Sequence, residues 1–315
     1  MATLAPNPAP NPAPSPASTR PADRPAPQLK AARHGNRSTA SVVFLVALWF
    51  ALAFSVLCLA VLIVNSFVDG ATRLDSNLFT KYTSRLHPDD AGARAAILGS
   101  AWVIAVTALL AIPLGVAAGL YLEEFADRRR WYNRLIEVNI ANLAAVPAIV
   151  YGMLTAGLVL AIDLPRRVVL SGSIALSLLI LPVIIIATRE AVRAVPKEIR
   201  DGSLALGATP LQTVWRQTLP AAVPGIATGA ILALSRALGE AAPLLLLGGL
   251  VFVTYDPNGL MSGFTTLPIQ IFNWAQQPQE EFHQAASAAI IVMLVLLLAM
   301  NAVAILIRNR YQKRW

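Results

Sequence analysis

Glu198-Ile-Arg-Asp-Gly-Ser-Leu-Ala-Leu-Gly-Ala-Thr-Pro-Leu-Gln-Thr-Val-Trp-Arg-Gln-Thr-Leu-Pro220 is a polar stretch between two long apolar runs, and it carries too much local instruction for a passive connector. Pro196 can open a short helix and Gly207 can close it, because a left-handed glycine ends a helix at little cost. Thr209 can cap a second helix, with Pro210 at its first position and Gln212 placed to reach back in a capping box. The segment at 196–220 therefore reads as a helix–turn–helix, shaped to be gripped from the aqueous phase.

The flanking runs define the solvent. Of 315 residues, 56% are hydrophobic and 13% charged, roughly half the charged fraction of a soluble domain. Several runs exceed the ~18 apolar residues that cross a bilayer as a helix. Six spans are predicted, at about 41–66, 96–121, 138–161, 168–188, 222–252 and 284–307. Pro113, Pro147, Pro182, Pro224 and Pro243 fall inside them, which neighbouring helices can accommodate. The chain reads as an all-α, polytopic membrane protein.

Residues 1–38 are rich in Pro and Ala and end basic. Such a segment buries too little apolar surface to offset its conformational entropy, so a disordered extension precedes a membrane domain at 39–315. Lys and Arg number 18 on the side of the N-terminus, the 122–137 loop, the 189–221 loop and the C-terminal tail, against 6 on the other. That bias places both termini and the helix–turn–helix in the cytoplasm. It also explains the net charge of +8 without nucleic acid, for which there is no basic soluble domain. The outer stretch Leu267–Ala275 suits a short helix in the lipid interface. Cys58 sits alone in the first span, and His34, His87 and His283 have no partners at metal-ligand spacing.

Arg236 and Glu240 are the charges well inside a span. Four residues apart on one helix, they would share a face with ~6 Å of rise between them. A structural ion pair is one reading; the other is that Arg236 offers charge to a crossing anion while Glu240 holds it, a guanidinium being a planar fork for oxyanions. Gly225 and Gly229 have the small-xxx-small spacing of close helix packing. The chain has no Gly-x-x-x-x-Gly-Lys-Ser/Thr run to cradle ATP, so any ATP-driven step needs a separate nucleotide-binding subunit.

Asp201, Gly207, Leu219 and Pro220 fall on the spacing of the EAA loop of bacterial ABC importer permeases, with Asp201-Gly202-Ser203 standing for Glu-Ala-Ala and Gln217 at a usually apolar position. Ala233–Leu245, containing Ser235-Arg236-Ala237-Leu238-Gly239-Glu240, resembles the fifth span of PstA-type phosphate-importer permeases. Asn142–Met153 resembles their third span, and Ile112–Gly115 with Tyr121–Glu124 their second. The likeness covers roughly residues 41–315. It implies a type I ABC importer permease fold and a non-enzymatic subunit in the inner membrane. The partners it implies are a second homologous permease, a cytoplasmic ATPase dimer and an extracytoplasmic phosphate-binding protein. No cofactor would be bound by this chain, ATP and Mg being held on the ATPase. Asp201, Gly207, Thr209, Pro210, Gln212, Leu219 and Pro220 would form the coupling loop, and Arg236 and Glu240 would line the pathway. A permease for sulfate, molybdate or an amino acid is the alternative. A secondary transporter would show an inverted repeat of broken helices, and an embedded enzyme would need more converging groups than Arg236 and Glu240.

Overall fold

The computed structural model describes residues 39–85, 87–127, 129–249 and 252–311. The 1–38 extension, and Lys313 and Arg314 of the tail, lie outside them. The chain forms two compact units, Met1–Cys58 and Leu59–Trp315. The described part of the first is the start of helix α1 (Thr39–Gly70), whose large apolar side chains, Trp49 and Phe50 among them, are exposed. Everything below concerns the second unit.

Its long helices are α3 (Arg94–Leu120), α6 (Val169–Arg193), α9 (Leu219–Leu238) and α12 (Glu280–Tyr311). Shorter ones are α2 (Ser76–Thr80), α4 (Trp131–Ala144), α5 (Ala148–Ala161), α7 (Lys197–Ala205), α8 (Pro210–Thr213), α10 (Ala242–Leu246) and α11 (Leu267–Ala275). Among the described residues, five helices are long and apolar enough to cross a membrane, or six spans if the bent pair α4–α5 counts as one. α6 is the hub: 67% of its apolar window is buried, against 6% for α12. α3 and α9 pack on either side of α6. Small residues allow this. A Cβ on Gly225 would stand 2.8 Å from the Ala191 Cβ, and one on Gly229 would overlap that of Ala187. The small-xxx-small pair on α9 thus meets an Ala-xxx-Ala pair on α6. Across the other seam, Ser173 Oγ donates to the Val103 carbonyl at 3.1 Å.

Three expectations are corrected. The third span is not one helix: α4 and α5 meet at 109°. Pro147 has no N–H for the carbonyl of Leu143 four residues back, and the Tyr151 hydroxyl takes that carbonyl instead at 2.7 Å, holding the bend. Pro113, Pro182 and Pro224, by contrast, lie within unbroken helices. The fifth span begins earlier and ends sooner than 222–252. α8, a π turn at Val214–Thr218 and α9 form one continuous helix from Pro210 to Leu238. In the π turn the Leu219 N–H reaches the Val214 carbonyl, just before Pro220, which has no N–H to offer Arg216. Finally, α11 is not a lipid anchor. Leu267, Ile269, Gln270 and Trp274 are fully buried. Both Gln270 Nε2 and Trp274 Nε1 donate to Thr83 Oγ1 at 3.3 Å, so its polar groups are satisfied inside the protein.

Candidate functional site

At one end of the bundle lies the 196–220 segment, folded by purely local rules. Pro196 caps α7, and Gly207 takes φ +85. Gly207 N–H bonds the Leu204 carbonyl at 2.9 Å and Ala208 N–H the Ser203 carbonyl at 3.2 Å, the paired bonds of a Schellman close. Gln212 N–H then donates to Thr209 Oγ1 at 3.3 Å, and Thr209 N–H to Gln212 Oε1 at 3.0 Å, completing the capping box. Ser203 and Thr213 hydroxyls meet at 2.9 Å and tie α7 to α8. Asp201, Gly207, Thr209, Pro210, Gln212 and Pro220 are exposed and Leu219 is half-buried. The turn leaves Leu206 91% exposed, with Leu211 and Trp215 beside it also open. Three large apolar side chains are thus open to solvent on one polar segment.

Behind this turn lies an ionic junction that loop-by-loop charge counting hides. A π turn at Tyr121–Phe125 ends α3, closed by Ala126 N–H on the Tyr121 carbonyl at 2.9 Å. It turns two consecutive acids inward: the Glu123 side chain is 5% exposed and that of Glu124 12%. Glu123 accepts two bonds from Arg193, at 3.1 and 3.0 Å, and lies 3.5 Å from Arg189. Arg189 in turn donates to Glu137 on α4 at 2.7 Å. Glu124 lies 2.8 Å from Arg200 of α7. Removing one partner of so buried a set leaves an uncompensated charge, costing about 3–5 kcal/mol. The available signal was the i, i+4 spacing of Arg189 and Arg193 at the end of a span that follows two acids at the end of another. Charge counting uses the two arginines as topology determinants alone.

Arg236 stands in the last turn of α9. Its neighbours Ser235, Ala237 and Leu238 are buried, and Ser235 Oγ donates to Asn301 Oδ1 of α12 at 3.0 Å. Arg236 itself is exposed, and among the described residues it makes no hydrogen bond or ion pair. Glu240 does not share its helix face, as expected from spacing alone, because α9 stops at Leu238. Glu240 is half-buried in the break before α10, and no ion pair joins it to Arg236. The structure thus brings the seven turn residues together as one unit and leaves Arg236 and Glu240 as separate charges. A guanidinium presented from the wall of a span requires water, a solute or another chain beside it.

This architecture is that of a multi-span transport permease: a bundle with a capped helical turn at one end and, in its wall, a cation that forms no ion pair among the described residues. Residues 111–315 match the family described as binding-protein-dependent transport system inner membrane component. The chain belongs to that family and is a multi-pass inner membrane protein. It is 32% identical over 251 residues to the probable ABC transporter permease protein YqgI of Bacillus subtilis (strain 168), covering 75% of this chain and 84% of that one. Against the phosphate transport system permease protein PstA of Yersinia pestis the identity is 30% over 251 residues, covering 80% and 84%. Among solved structures, a bacterial alginate ABC transporter in complex with an alginate pentasaccharide-bound periplasmic protein aligns with TM-score 0.59 over 88% of this chain and 99% of that one, at 16% identity. That likeness carries the type I importer permease fold alone.

Proposed function

We propose that this chain is the permease subunit of an ATP-driven phosphate importer. The observation that carries the reading is Arg236, an exposed guanidinium that among the described residues makes no hydrogen bond or ion pair, with Ser235, Ala237 and Leu238 buried beside it. It is supported by the similarity to phosphate transport permeases over most of their length. A cation that remains charged at any accessible pH attracts a phosphate dianion, and its planar fork fits two oxyanion oxygens. Glu240, unpaired with it, leaves that charge available and sets a negative limit nearby.

A homologous second permease would close the pathway opposite Arg236, and an extracytoplasmic binding protein would deliver phosphate. ATP and Mg belong to a cytoplasmic ATPase pair that grips Leu206, Leu211 and Trp215, which puts the turn and both termini in the cytoplasm. Closure of that pair displaces the turn between two positions. The double cap and the Ser203–Thr213 tie keep the turn rigid, and the unbroken Pro210–Leu238 helix carries the displacement to Arg236. The test is ATP-dependent phosphate uptake by the reconstituted complex, with sulfate and molybdate as competitors. Uptake that resists both competitors supports the reading; accumulation of another solute in place of phosphate refutes it.

A further inference from the structure

We infer that Glu124 and Arg200 form a strut that converts displacement of α7 into movement of α3, making them positioning residues for transport. The inference rests on the permease reading above and names a second transmission route within it. α7 and α8 already lead into α9 by chain connectivity. α3 has no such covalent link to α7, yet it is packed along the whole length of α6 and forms the other wall of the hub.

The contact is built asymmetrically. Arg200 Nη2 directs a 2.7 Å hydrogen bond to the Val192 carbonyl and Nη1 a 3.3 Å bond to that of Val195, at the end of α6. Its charge then faces Glu124 Oε1 at 2.8 Å. That oxygen is screened from solvent and completes no directed hydrogen bond, and Arg200 Nε likewise has no acceptor. The pair is therefore held by charge, in a site where water screens it little. Two opposite charges with so little water around them resist separation as α7 shifts, which is the property a strut needs. The acid sits in a π turn, an insertion that frees a helix end to bend locally. Leu120, just before this turn, and Val214, opening the second π turn, pack in one apolar plug with Val192. Both bendable helix ends thus meet at the point where Arg200 inserts.

The experiment uses the full importer complex in liposomes, with Glu124→Gln, Arg200→Met and the double variant. Phosphate accumulated per ATP hydrolysed should fall about 2- to 30-fold in each single variant, while hydrolysis per assembled complex stays near wild type. The double variant should lose no more than either single, because one link has been cut twice. Arg200→Lys, which retains the charge, should keep most of the ratio. A wild-type ratio in Glu124→Gln, losses that multiply in the double variant, or hydrolysis falling in step with uptake would each overturn the strut. A second readout needs no solute. With Cys58→Ser as background, spin labels at Lys197→Cys and Phe125→Cys should hold one separation through the nucleotide cycle, and lose that constancy in Glu124→Gln. The same distance change with and without Glu124→Gln would also overturn it. Absence of phosphate accumulation by the wild type instead strikes the permease reading and leaves this distance test standing.

Discussion

Pro210 and Arg236 stand on one uninterrupted helix, the first at the tip of the exposed turn and the second in the wall of the bundle. The 26 intervening steps at 1.5 Å each separate them by about 39 Å. Between the two the helix has one joint, the π turn at Val214–Thr218.

Arg236→Gln should lower phosphate uptake roughly 10- to 100-fold, the worth of a charge-assisted hydrogen bond lost to a neutral one. Complex assembly and basal ATP hydrolysis should persist, since no described residue depends on Arg236 for a bond. Uptake assays beside co-purification of the subunits check both halves; unchanged uptake would remove Arg236 from the pathway.

Gly207 separates backbone from packing effects. Its φ is +85 and an added Cβ would meet nothing within 4 Å, so substitution costs conformation alone. Gly207→Val should destabilise the turn by at least about 1–2 kcal/mol and uncouple hydrolysis from uptake, whereas Gly207→Asn should be far milder. ATP hydrolysed per phosphate imported, compared across the pair, is the measurement.

Leu206→Asp should weaken capture of the ATPase by roughly 30-fold or more, the scale of a central apolar anchor. Insertion and stability should be unaffected, because the side chain is 91% exposed. Co-elution at controlled ATPase concentration reads the effect; undiminished capture would move the docking face elsewhere.

Gly229→Ala should cost about 1–3 kcal/mol by forcing α9 away from Ala187, the typical penalty of overpacking. Gly157→Ala is the control, since its Cβ would enter open space. Thermal unfolding in detergent should drop for the first and not the second.

The turn was legible in the primary structure because each of its instructions acts over a few residues. Pro196, Gly207, Thr209 and Gln212 specify their caps through their own backbone and side-chain chemistry. The Gly225/Gly229 face was legible too, since helical periodicity puts small residues on one stripe. The break at Pro147 was not. The same residue type at 113, 182 and 224 leaves its helix intact, and at Pro147 the freed Leu143 carbonyl has partners in the Tyr151 hydroxyl and the Val146 N–H. The length of α9 misled in the same way: four-residue spacing put Glu240 beside Arg236 only if the helix ran on, and it ends first.

Amino-acid order alone settled the solvent, the helical class and the capped turn, all governed by apolar run length or by contacts within one turn of helix. Folding settled the partners of Glu123 and Glu124, the burial of α11 and the openness of Arg236. These depend on side chains some 70 or more positions apart meeting in space, and no local pattern encodes which of many possible meetings a packed bundle will allow.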